Sequence, residues 1–116
     1  MAKVSGVVRV RADARDFRDA VVRIRLLDVS LLDSAAVTLD ETAVTGVDHE
    51  RGREQLVRFD LECPAVEAGR DVNLAAHVDM TGDGQVSPGD LITTVAYPVT
   101  ATQGAARDVI IDVEQV

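Results

Sequence analysis

The strongest constraint on this chain is an apolar period of two, repeated along most of its 116 residues and cut at short intervals by turn-forming residues. Alternate side chains of a strand point to opposite faces, so this pattern builds sheets with one face on a core and one in water. Val4, Gly6, Val8 and Val10 alternate with Ser5, Val7, Arg9 and Arg11 in the first run. Ala20, Val22, Ile24 and Leu26 line one face of the second, with Val21, Arg23, Arg25 and Leu27 on the other. Arginine on the outward face suits a half-solvated antiparallel sheet. The alternation is weak from Ala36 to Val44 and clear from Gln55 to Glu62, where Val57, Phe59 and Leu61 oppose Leu56, Arg58, Asp60 and Glu62. It is clearest from Asp71 to Val78, where Val72, Leu74, Ala76 and Val78 share a face. Leu91 to Tyr97 and Val109 to Val113 complete a set of about seven strands.

The breakers fall between these runs, at Asp33-Ser34, Gly46 to Gly52, Cys63-Pro64, Gly82 to Gly89, Pro98 and Gly104. One open sheet of such strands would leave a face of Val and Ile in water. The expected fold is therefore all-β, an antiparallel β-sandwich of about seven strands with immunoglobulin-like or transthyretin-like layering. At this length, residues 1–116 are expected to form a single domain. Arg11 to Ala20, around Phe17, and Pro64 to Gly69 are too short for stable helices and read as connections.

Charge and composition exclude several functions. Twenty acidic residues against twelve basic ones give a net charge of −8, which repels phosphate backbones and anionic headgroups. With no Trp, one Tyr and two Phe, the chain also lacks platforms on which bases would stack. Nucleic acid is not an expected partner. No apolar run approaches the eighteen or so residues of a membrane span. The N-terminus, Met-Ala-Lys-Val-Ser-Gly, carries no apolar leader core, so the expected location is cytoplasmic, or periplasmic or secreted where a leader has been removed.

The string Ala20-Val-Val-Arg-Ile-Arg-Leu-Leu-Asp-Val-Ser30, the later Phe59-Asp-Leu, the strand Val72 to Val78 and the ending Thr93-Thr-Val-Ala-Tyr-Pro-Val99 resemble the YbaY/YscW-type family, lipoproteins that include type III secretion pilotins. The resemblance covers most of the chain in order and rests on strand patterns without catalytic residues. It implies a small β-sandwich that binds a protein partner. The chain differs from the family in lacking the lipoprotein leader and in carrying a longer acidic loop before the Leu91 strand.

That loop, Asp79 to Asp90, is the one stretch with the spacing of a metal site. Oxygen-bearing side chains stand at loop positions 1, 3, 5, 9 and 12, with Gly84 at position 6, a spacing similar to an EF-hand-type calcium loop. Calcium needs six to eight oxygens, and a short loop gathers them only by turning sharply at its middle, which Gly84 would allow. Asp79, Asp83 and Asp90 would supply charge, Thr81 and Ser87 a hydroxyl, Gln85 its carbonyl, and Val86 an inward anchor to the core. Thr81 stands where Asp or Asn is usual and Asp90 where Glu is usual, as at the end of dockerin loops. The flanks are strands, so calcium here would brace a hairpin and would not open a helix pair. The alternative is a solvated hairpin loop built from the residues turns prefer.

Other candidates carry less. His77 lies on the strand face opposite Val72, Leu74 and Val78 and reads as an exposed strand histidine, with His49 in a distant turn. Cys63 has no Cys or His close in sequence and reads as a structural thiol. Ser30, Ser34 and Ser87 sit in no Gly-x-Ser-x-Gly elbow. Leu31 and Leu32, placed inside a turn signal, either close the sandwich end or form an apolar patch for a partner. The leading expectation is a non-catalytic binding or chaperone-like accessory domain. Its rivals are a small enzyme, which predicts a pocket lined by His77 and Asp79, and a structural module that self-assembles through edge strands.

Overall fold

The computed structural model describes residues 2–29, 36–63, 71–95, 97–99 and 106–116. Nine strand segments follow one another among them: β1 (Ala2–Val10), β2 (Phe17–Asp28), β3 (Val37–His49), β4 (Gln55–Cys63), β5 (Val72–Asp79), β6 (Leu91–Ile92), β7 (Tyr97–Val99), β8 (Ala106–Asp112) and β9 (Glu114–Gln115). They form two sheets. One has the order β4-β1-β8; the other has the order β3-β2-β5-β6-β9, with β7 also pairing with β5. The β-sandwich expected from the alternation is what the chain forms. Its inner faces are the predicted ones: Val4, Val8 and Val10 of β1 and Val57, Phe59 and Leu61 of β4 pack with Val22, Ile24 and Leu26 of β2 and Leu74, Ala76 and Val78 of β5. Each large side chain taken fully out of water here stabilises the fold by about 1.5–3 kcal/mol.

The strands differ from the sequence reading where a residue supports more than one backbone role. Gly46 is not a strand end. It lies inside β3 at φ 67°, in a bulge between the Ala20–Val47 and Val22–Val44 pairs, and β3 runs on to His49. A compensating bulge in β2 places Asp19 at φ 55°, an unusual conformation for a residue other than glycine. Its amide donates to Asp48 Oδ1 at 2.8 Å. Two bulges of opposite sense keep Phe17, Ala20 and Val47 on the core side. β2 accordingly starts at Phe17, within the stretch expected to be a connection. The Leu91–Tyr97 run is two short strands, β6 and β7, with Thr93–Val95 between them outside any strand.

Among the described residues, one pairing is parallel. β8 lies beside β1 in the same direction, Val7 opposite Ile110 and Arg9 opposite Asp112, while every other pair is antiparallel. Gly6 sits at the closest approach of these strands: a Cβ there would overlap the carbonyl oxygen of Val109. After Asp112 the chain crosses from one layer to the other through buried Val113, and β9 pairs with β6, Leu91 opposite Gln115. Strands that change sheet in this way form the corners of a sandwich. Leu31, Leu32 and the connection Pro64 to Gly69 lie outside the described residues.

Candidate functional site

The loop from Asp79 to Asp90 joins β5 to β6 as a hairpin connection, its base set by the Val78–Leu91 and His77–Ile92 pairs. The strand flanks expected of it are present. Asp79 is fully buried at the end of β5 and organises the first half of the loop. Its Oδ1 accepts from the amides of Thr81 (3.2 Å) and Gly82 (2.9 Å) and from the Thr81 hydroxyl (3.3 Å). Its Oδ2 accepts from the amide of Gly84 (2.7 Å) and from Arg23 Nε (3.3 Å). Gly84 takes φ 80°, the sharp central turn that the spacing required. The Arg23 side chain, from the neighbouring strand β2, also donates to the Gly82 carbonyl at 3.4 Å.

Asp90 organises the second half. Its Oδ1 accepts from the Met80 amide (3.0 Å), and its Oδ2 from the Ser87 amide (3.1 Å) and His77 Nε2 (2.7 Å). Its own amide donates to the Ser87 carbonyl, and its carbonyl accepts from the amide of Val116 at 2.9 Å, which ties the end of the chain to the loop. Burial pushes the Asp79 carboxyl up, but the amides of Gly84, Gly82 and Thr81 together with Arg23 outweigh it and hold the group at about 2. Asp90 behaves in the same sense: burial opposes ionisation, and the bonds from His77, Met80 and Ser87 more than offset it, so its carboxyl lies below the usual range.

Of the six residues expected to hold calcium, the fold brings the carboxylates of Asp79 and Asp90 together and adds His77; one ligand atom from each lies within 4.8 Å of the others. Asp83 is not in that group. Its Oδ1 accepts from the Gln85 amide at 2.9 Å in a local turn on the exposed rim. Thr81 uses its hydroxyl on Asp79, and Ser87 engages Asp90 through its backbone. Val86 does not anchor the loop, being 55% exposed. His77 is not an exposed strand histidine: the loop folds back over it, and its side chain is 14% exposed. Arg23 had no sequence signal linking it to the loop, because it lies 56 residues away and meets Asp79 and His77 only through the β2–β5 register.

Chemically the cluster is a brace. Two buried carboxylates take five backbone amides between them and face one guanidinium and one imidazole, so their negative charge is offset by the chain's own donors. Cys63 is also buried, and burial pushes its thiol up, away from the nucleophilic thiolate.

With that geometry in view, the comparisons decide the family. The model for "Type III secretion system lipoprotein chaperone (YscW)" matches residues 1–112, nearly the whole chain. The chain belongs to the YscW family. A solved structure, an alternative pilotin from the type II secretion system of Vibrio cholerae, matches with a TM-score of 0.73 and 24% identity over 98% of this chain and 96% of that one, which establishes a shared fold. No curated protein matches the sequence.

Membership in the YscW family makes this a non-catalytic, chaperone-like accessory domain that works on a protein partner. A family of secretion-system lipoprotein chaperones points to a periplasmic or membrane-associated setting and gives the cytoplasmic expectation no support. Among the described residues, no helix is long and apolar enough to cross a membrane.

Proposed function

We propose that the chain is a pilotin-like chaperone of a bacterial secretion system, working in the periplasm on a protein component of that system. The observation that carries this reading is the family match across residues 1–112. The Asp79–Asp90 cluster suits it, because backbone amides take up its carboxylates and hold the loop in one shape. The test is affinity capture of the tagged chain from envelope extracts of its own cells. Secretion-system proteins should be enriched at least about tenfold over capture with an unrelated β-sandwich, a difference of about 1.4 kcal/mol in apparent binding. Equal recovery would refute the proposal.

A second reading concerns calcium, and one observation favours it: the loop makes its sharp turn at Gly84 with Asp79 at the hub, as a calcium loop of this spacing does. Calcium would be held by Asp79, Thr81, Asp83, Gln85, Ser87 and Asp90, with Asp83 swinging in from the rim. It would stiffen the β5–β6 hairpin and supply no chemistry of its own. At a hundred times its dissociation constant it would add about 2.7 kcal/mol of stability, since it binds only the folded loop. The unfolding midpoint should rise by several degrees between chelator and millimolar calcium, and Asp83→Ala should abolish that rise without lowering the midpoint in chelator. An unchanged wild-type midpoint would sink the reading.

A further inference from the structure

At the end of the sandwich where the β1–β2 and β3–β4 turns meet, His49 closes β3 with its side chain buried. Its ring stacks on Phe17, centroids 5.4 Å apart and planes 27° from parallel. Both ring nitrogens face backbone carbonyl oxygens, one from each turn: Nδ1 lies 2.9 Å from Arg15 O and Nε2 lies 2.7 Å from Arg53 O. A carbonyl oxygen only accepts. A neutral imidazole has one N–H and one lone pair, so one of the two contacts would set a lone pair against an oxygen; the imidazolium donates to both. Rotating the ring by half a turn does not help, because it would point carbon atoms at the two oxygens.

We propose that His49 is a protonation-dependent latch: in the folded protein it is the imidazolium, and its two charge-assisted hydrogen bonds clamp the β1–β2 turn to the β3–β4 turn. The two turns are joined independently by the Gly52 amide on the Ala12 carbonyl (2.7 Å) and by the Arg51 amide on Asp16 Oδ1. Loss of the proton therefore loosens the joint without opening it. The charged groups around the ring are Asp16 and Arg18 from the β1–β2 side, Asp48 from β3, and Glu50 and Arg53 from the β3–β4 turn. Arg18 lies 4.0 Å from Asp48, and Arg53 lies 3.9 Å from Glu50. With Asp48 and Glu50 each facing an arginine and Asp16 engaged by the Arg51 amide, the two carbonyls are what distinguish the ring's protonation states. The consequence reaches beyond the turn, because Arg15, whose carbonyl the ring holds, lays its guanidinium against Gly89 of the Asp79–Asp90 loop.

Both bonds exist only in the folded protein and only while the ring carries its second proton. The stabilisation is therefore complete at the acid end of imidazole's range and is lost as pH rises through and beyond it. The test uses the full chain labelled with nitrogen-15, with His77→Gln as the background that removes the other histidine. At about pH 7.5, where an unfolded histidine has lost its second proton, both His49 ring nitrogens should still give the protonated signal. The thermal midpoint of that variant should fall by about 5 °C from pH 6 to pH 8.5. Adding His49→Gln should flatten the dependence. A bare nitrogen on His49 at pH 7 would overturn the proposal, as would the full pH slope surviving in His49→Gln. If His49→Gln fails to fold, the ring signals of the His77→Gln protein decide alone.

Discussion

Gly6→Ala should lower the thermal unfolding midpoint by more than about 10 °C, the largest loss expected from adding a single methyl group to this chain. A Cβ at Gly6 would overlap the Val109 carbonyl oxygen and stand 2.9 Å from its carbonyl carbon and 3.0 Å from its amide nitrogen. All three are backbone atoms, so no side-chain rotation relieves the clash. Either β8 moves off β1 and gives up the parallel ladder, or β1 shifts in the core with Val4 and Val8, which are 2% and 0% exposed. Both routes cost about 3 kcal/mol or more. Ser5→Ala is the control, an outward position on the same strand, expected to change stability by less than about 0.5 kcal/mol. Comparable midpoints for the two variants, read by calorimetry or circular dichroism, would show that the strands are not in close contact at Gly6.

Asp79→Ala should cost about 3–5 kcal/mol, because it strips the acceptor from three loop amides and leaves the Arg23 guanidinium facing an empty site. Amide hydrogen exchange should show the loss confined first to the Asp79–Asp90 loop and the β5–β6 hairpin. The same carboxylate sets an acid limit on stability. Its folded value, about 2 against an ordinary 3.8, is depressed, so its contribution is present above the ordinary range and is lost as pH falls towards 2. That contribution is about 2 kcal/mol. Asp79→Asn, similar in shape but unable to ionise, should flatten the acid limb of stability between about pH 4 and pH 2. If the acid limb is as steep in Asp79→Asn as in the wild type, Asp79 is not its source.

Which features could be read in the sequence follows the distance over which each is determined. The inward faces Val22, Ile24, Leu26 and Val57, Phe59, Leu61 are local alternations, and they are the core. Gly46 shows the limit of local reading: a glycine with positive φ ends a strand in one context and bulges it in another, and the choice here rests on Asp19, 27 residues earlier. His77 shows the same limit in the site. Its parity on β5 points it away from the core, which is correct, but Asp90 returns over it and turns an outward position into a half-enclosed one.

The carboxylates were visible because Asp, Gly and Ser at these spacings are what a tight loop needs, whatever it binds. Their counter-charge was not, because Arg23 reaches Asp79 only through strand register. Val86 illustrates an analogy carried too far. Its inward role belongs to loops flanked by helices, and between two strands the same position faces water.

The parallel pairing of β1 with β8 also governs how the molecule forms. Arg9 and Asp112, joined at 2.6 Å, are 103 positions apart, and β1 cannot have both neighbours until β8 arrives. Such high contact order delays the reward for closing the chain until most of its entropy has been lost, and predicts folding on the millisecond-to-second scale, as for other β-sandwiches. During that interval β1 presents an unpaired edge, its backbone groups along Val4 to Arg9 without the β8 partner. A chaperone of this design is for that time itself an incomplete sheet with an open edge.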